Sequence, residues 1–186
     1  KNQKFISGGE ESYGYMVGDF VRDKDAITSA LVACELGSEC KTNNSSIIDY
    51  LINCYIKYGF YKERLISIKK EGAKGLEEIS DIMNSLRTSG LKMIDGCKLK
   101  FIKDFESSSK QDLVTGNSSK LDFPKSNVLI FEAEDGTTVA ARPSGTEPKI
   151  KFYISVNSKL ESKSDYVKMD TLLENKIERV IKEFEF

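Results

Sequence analysis

The stretch Arg142-Pro143-Ser144-Gly145-Thr146-Glu147-Pro148-Lys149 lies between two runs that read as strands, 137–142 and 149–156. The second run alternates, with Ile150, Phe152 and Ile154 on one face and Lys149, Lys151 and Tyr153 on the other. That is the period of a strand with one buried face. The linker combines a guanidinium, an ammonium, two hydroxyls and a glycine. A planar guanidinium clamps two phosphate oxygens, hydroxyls donate further hydrogen bonds, and a residue without a Cβ lets backbone N–H groups approach an anion. Pro143 and Pro148 stiffen the two ends. The same composition also describes an ordinary tight turn between strands.

Outward from this stretch the pattern is that of an α+β unit. Residues 127–133 read as a strand joined to 137–142 by the turn Glu134-Asp135-Gly136. Residues 164–184 read as a helix whose apolar stripe is Leu173, Ile177, Val180, Ile181 and Phe184. Further upstream lie a short strand at 63–69, a helix at 75–87 with Leu76, Ile79, Met83 and Leu86 on one face, and partial alternation at 98–105. The polar stretch 107–120 reads as an exposed, mobile loop. A mostly antiparallel sheet with helices on one face is the expected arrangement.

Residues 1–61 differ. Phe5-Ile6 reads as a strand end, followed by a glycine-rich loop over 7–18. Ile27, Ala30, Leu31 and Cys34 mark a helix for which Gly37 is the natural stop. Ser46 and Asp49 form a capping-box pair that opens a second helix, with Ile48, Leu51, Ile52 and Tyr55 on its apolar face and Gly59 after it. A strand end and two helices cannot close a sheet-based core, so part of an α/β domain with uncovered apolar surface is expected.

The whole chain has 186 residues, a formal net charge of −1, 39% hydrophobic and 31% charged residues. This is the composition of a soluble globular protein. The near-neutral balance argues against a nucleic-acid partner, and the absence of a long apolar run or signal pattern argues against a membrane. Cys34, Cys40, Cys54 and Cys97 lack paired spacing and read as free thiols of a reducing, cytoplasmic compartment. There is no histidine, so a metal centre here is not expected and no imidazole base is available.

The run 142–156 resembles the phosphate-binding loop of the α-D-phosphohexomutase superfamily, the phosphoglucomutases and phosphomannomutases. Gly8-Gly9-Glu10-Glu11-Ser12-Tyr13-Gly14-Tyr15 is similar to the sugar-recognition loop of that family, and Arg22-Asp23-Lys24-Asp25 to the string that follows it. The resemblance implies that 1–61 is the C-terminal portion of a third α/β domain and 62–186 a small C-terminal α+β phosphate-binding domain. It implies phosphate contact by Arg142, Ser144, Gly145 and Thr146, with Lys149 as a helper, and sugar hydroxyl contact by Glu10 and Ser12. Glu11 is less clearly assigned by it. Lys24 becomes the candidate catalytic residue, for proton movement or charge stabilisation; read without the resemblance, Asp23 or Asp25 caps the helix and Lys24 is solvated. Lys151 reads as a solvated strand face, and Tyr13 and Tyr15 as packing.

The reaction implied interconverts hexose 1-phosphate and 6-phosphate through a phosphoserine and a bisphosphate intermediate. No Thr-Ala-Ser-His-Asn-Pro string and no Asp-x-Asp-x-Asp-Arg string occurs in the sequence. In the family these serine and magnesium loops belong to earlier domains, so this chain alone is expected to be inactive and to supply recognition. Mg2+ and a sugar bisphosphate activator are expected for the full-length enzyme, and its partners are the hexose phosphate and the upstream domains of the same polypeptide. A phosphopentomutase or a sugar-bisphosphate synthase of the same superfamily, or a non-catalytic sugar-phosphate-binding module, are the alternative readings.

Overall fold

The structure, a computed structural model, describes residues 4–10, 13–72 and 74–184. Two compact units divide the chain, Lys1–Cys54 and Tyr55–Phe186.

The first unit opens with an antiparallel hairpin of β1 (Ser7–Gly9) and β2 (Tyr15–Val17), in which Ser7 faces Val17 and Gly9 faces Tyr15. The stretch 7–18, expected as loop, therefore holds two short strands. Strands this short carry too little alternation to be read from a glycine-rich sequence. Helix α1 (Ala26–Thr42) starts at Asp25, whose carboxylate accepts from the Ile27 N–H at 3.0 Å. It does not stop at Gly37. A glycine inside a helix costs only about 1 kcal/mol relative to alanine, and α1 runs on to a cap at Asn43. Helix α2 (Ile47–Tyr58) begins with the expected capping box: Ser46 N–H donates to Asp49 Oδ2 and Asp49 N–H donates to Ser46 Oγ, both at 3.0 Å. Gly59 follows α2, and the division between the units falls inside this helix, upstream of the pattern change at residue 61.

The second unit is built on β3 (Phe60–Lys69), β5 (Cys97–Asp104), β6 (Ser109–Asp112), β7 (Ser118–Lys120), β8 (Leu129–Ala133), β9 (Thr138–Pro143) and β10 (Lys149–Ser158). Their order in the sheet is β3-β10-β9-β8-β5-β6-β7, and β4 (Met93–Ile94) pairs with β5. Every one of these pairings is antiparallel. Helices α3 (Gly75–Thr88) and α4 (Tyr166–Glu183) pack on the sheet, α4 preceded by a short 3-10 turn at Lys163–Asp165.

Alternation decides which face they cover. Ile150, Phe152, Ile154 and Val156 of β10, Val139 and Ala141 of β9, and Leu129, Phe131 and Ala133 of β8 are buried. So are Leu173, Ile177 and Val180 of α4 and Ile79, Met83 and Leu86 of α3. Each large side chain placed there contributes about 1.5–3 kcal/mol relative to exposure. Leu76, expected on the α3 stripe, is exposed instead. Phe60, Tyr55 and Tyr166 form a three-ring cluster, with Phe60 4.3 and 5.5 Å from the two tyrosine ring centroids and the tyrosines 6.4 Å from each other. Lys62 and Arg64 of β3 clip α4 through Asp170, Glu174 and Glu178.

The stretch 107–120, expected as a mobile loop, is largely paired. Ser109–Asp112 bonds β5 on one side and β7 on the other. Backbone ladders need no apolar side chains, and near a sheet edge with water at hand a Ser- and Lys-rich strand is stable. Composition alone conceals such strands.

Candidate functional site

The phosphate-loop candidate connects β9 to β10. Its neck is closed by the Ser144 N–H donating to Lys149 O at 2.7 Å. Its far end is fixed from two sides. Lys70 N–H donates to Pro148 O at 2.9 Å. Pro148 Cβ stands 2.9 Å from the place a Cβ would occupy on Gly75, the first residue of α3. Only glycine allows that approach, so the start of α3 and the end of β3 position the loop.

A cleft of about 210 Å3 lies against it, walled by Arg142, Ser144, Gly145, Glu147, Lys149 and two further β10 residues, Lys151 and Tyr153. Register explains the grouping. Lys151 is paired with Arg142 across β9 and β10, so the two side chains project from the same face of the sheet. The strand face carrying Lys149, Lys151 and Tyr153 is thus part of the cleft wall, where the sequence reading had Lys151 solvated. Thr146 is not among the walls. Among the described residues neither Arg142 nor Lys149 has a carboxylate within ion-pairing distance.

The loop backbone is partly turned inward. The N–H groups of Thr146 and Glu147 donate to Ser144 Oγ at 3.4 and 3.3 Å, and Lys149 N–H donates to Glu147 O at 2.8 Å. The Ser144 oxygen therefore holds the loop while its own proton can still be donated outward. A Cβ on Gly145 would meet nothing within 4 Å, so the chain's own packing gives no reason for glycine there. The space over Gly145 is open to an incoming group.

The sugar-loop candidate belongs to the first unit. Glu10 N–H donates to Gly14 O at 2.8 Å, which closes the turn between β1 and β2. Ser12 and Glu11 lie outside the described residues. A recess of about 290 Å3 is lined by Gly8, Gly9, Glu10, Gly14, Met16, Arg22, Asp23 and Lys24. The Lys24 stem crosses Gly14 so closely that any Cβ there would collide with it. Its ammonium lies 2.9 Å from Asp23 and 3.8 Å from Glu10. The hydrogen bond and charge of Asp23, and then the charge of Glu10, raise the Lys24 pKa above the ordinary lysine value. These neighbours favour the charged form of Lys24. Asp25 does cap α1, and the Thr28 hydroxyl bonded to it at 2.6 Å holds its pKa below the usual carboxylate value. Tyr13 is exposed, and the Tyr15 ring lies against Gly9.

Among the described residues, no three metal-ligating side chains converge, and no helix is long and apolar enough to cross a membrane. Sequence reading gave no site role to Tyr153 and Glu147, which line the cleft, quoted Arg22 without a role although it lines the recess, and read Lys151 as a solvated strand face. Strand parity combined with the β9–β10 register was the signal that could have found the β10 pair.

Residues 1–55 match the family model for phosphoglucomutase/phosphomannomutase, alpha/beta/alpha domain III. The phosphoglucomutases of Staphylococcus epidermidis and Staphylococcus aureus MRSA252 are each 38% identical to the chain over 155 residues, which is 83% of this chain and 28% of theirs. The chain thus spans well under a third of the length of these curated relatives. Glycine-rich hairpin, helix pair and cationic β9–β10 loop all fall within one lineage: the chain belongs to the α-D-phosphohexomutase superfamily, as a C-terminal part of the phosphoglucomutase/phosphomannomutase kind.

Proposed function

We propose that the chain is the substrate-recognition part of a phosphoglucomutase or phosphomannomutase that interconverts hexose 1-phosphate and hexose 6-phosphate through a phosphoserine and a bisphosphate. The observation that carries this reading is the cleft beside 142–149, where Arg142 and Lys149 meet without a carboxylate partner among the described residues. Two cations facing one cleft beside hydroxyl and backbone donors suit a dianion. On this reading Arg142 grips two phosphate oxygens, the Ser144 hydroxyl and the Gly145 N–H donate to the others, and Lys149 neutralises charge. Thr146 joins when its N–H turns from Ser144 Oγ toward the ligand and its hydroxyl donates beside it.

Residues 1–61 act as the end of the third domain and 62–186 as the fourth. Glu10 and Ser12 accept and donate hydrogen bonds to a pair of sugar hydroxyls. Lys24 sits beside Glu10 as a cation that stabilises the charge of the transferring phosphoryl group. Holding the idle phosphate while the sugar is presented in two orientations is a positioning task, and positioning with charge neutralisation accounts for most of the catalysis of phosphoryl transfer. Mg2+, the phosphoserine and the bisphosphate activator belong to the enzyme as a whole, which works in the cytoplasm, and the chain alone is inactive.

Titration of the chain with glucose 1-phosphate, followed by amide NMR, tests the reading. Shifts are expected at 144–146 in the wild type. Arg142→Ala is expected to weaken binding roughly tenfold to a hundredfold without loss of fold. Saturable shifts elsewhere, unaffected by Arg142→Ala, would overturn the assignment.

A further inference from the structure

We infer that the cleft beside 142–149 has two ends, and that Tyr153 is the platform for the sugar that carries the phosphate, a specificity-determining residue; this rests on the phosphate reading above. The cleft of about 210 Å3 is an order of magnitude larger than the roughly 10–15 Å3 that one water-sized group requires. A phosphate gripped at Arg142, Ser144 and Gly145 leaves the rest of it open. That remainder runs along β10 toward Tyr153, which lines the cleft and lies two residues beyond Lys151 on the same strand face.

The Tyr153 ring is half-buried, and the Lys151 ammonium stands over it, 6.0 Å from its centroid, so ring and cation form one wall of the cleft. Tyr153 is paired with Ala140 on β9 and with Leu65 on β3. The methyl group of Ala140 is too small to cover an aromatic ring, and it lies on the side from which Arg142 projects. A pyranose presents a face of polarised C–H groups, and the electron-rich face of a phenol ring attracts such a surface. The phenolic oxygen can also exchange a hydrogen bond with a sugar hydroxyl. Inorganic phosphate has no C–H face, so the ring of Tyr153 acts on the sugar ester and not on the anion.

The experiment compares Kd for inorganic phosphate and for glucose 1-phosphate in the wild-type chain, in Tyr153→Ala and in Tyr153→Phe, with amide spectra confirming that each variant is folded. Tyr153→Ala is expected to lose about three- to tenfold of the preference for the sugar ester and to keep its affinity for inorganic phosphate. Tyr153→Phe, which retains the ring, is expected to retain most of the preference. An unchanged preference in Tyr153→Ala, or equal weakening of both ligands, would overturn the platform while leaving the phosphate reading intact. A wild-type chain that binds neither ligand would overturn both.

Discussion

The two units solve unequal problems with similar residues. In the second, apolar side chains from three central strands and two helices meet in one core, and positions such as Phe131, Val139, Ile150 and Ile177 are wholly shielded. In the first, Cys40 and Ile52 are the only buried hydrophobic residues among those described. Ile27 and Leu31 of α1 are 82% and 59% exposed, and an apolar groove of about 530 Å3 runs along β1, β2 and α1. Helices short of packing partners are marginal in water. The same sequence device, an apolar stripe at helical spacing, therefore stabilises α4 far more than α1. The difference teaches that amphipathic pattern reports what a helix is able to bury, not what it has buried.

Amide hydrogen exchange on the intact chain should break or confirm this contrast most visibly. Amides at 152–156 in β10 are expected to exchange through global opening, and those at 30–36 in α1 through local opening. At ordinary domain stabilities, the ratio of protection factors should be at least about a thousandfold. Similar protection in both segments would show that the units unfold as one, and the contrast would fail.

Substitution sharpens the same point. Ile177→Ala removes a fully buried side chain of α4 and is expected to cost about 2–5 kcal/mol in urea unfolding of the second unit. Leu31→Ala shortens a side chain that already faces solvent and is expected to cost less than about 0.5 kcal/mol. Comparable losses would mean that α1 is packed more firmly than its exposure indicates.

Legibility in the sequence followed the same division. Periodicity located α3, α4, β8, β9 and β10, because each buries one face and its register of apolar residues cannot slip. The capping box at Ser46 and Asp49 was readable since both partners are local. What escaped was whatever depends on partners distant in sequence. Strands β6 and β7 are polar and held by ladders to β5 and to each other. The end of α1 is set by Asn43, not by Gly37. In the cleft, the residue types of 142–149 were informative by themselves, whereas Lys151 and Tyr153 become part of it only through the pairing of β9 with β10. The inward turn of the Thr146 and Glu147 N–H groups onto Ser144 is a matter of loop conformation that no residue spacing announces.

Charge pairs extend the comparison to a smaller scale. The Lys24–Glu10 pair of the first unit is about half exposed on both sides, where salt and water screen it. In the second unit Asp95 is sheltered. Arg179 of α4 donates to its two oxygens at 2.6 and 2.8 Å, and Glu183 accepts from its backbone N–H at 2.8 Å. The Arg179 hydrogen bond, opposed by burial and by the charge of Asp135 and aided by the charges of Arg179 and Lys176, holds the Asp95 carboxyl below the usual carboxylate value. A depressed folded-state pKa gives stability that is fully present above the unfolded value and is lost as pH falls through the folded one. Asp95→Asn should therefore cost about 0.5–1 kcal/mol at neutral pH, a modest figure because Arg179 is itself more than half exposed. The gap between variant and wild type should begin to close as the pH drops below about 4, where the carboxyl of the unfolded chain starts to protonate, and should vanish once the pH is below the lower folded-state value. Urea unfolding at several pH values measures it. A gap that persists unchanged into acid would mean that the loss comes from setting an amide NH2 against the Arg179 donors and not from removing the charge of Asp95. The ion pair would then contribute no more to the second unit than its screened counterpart does to the first.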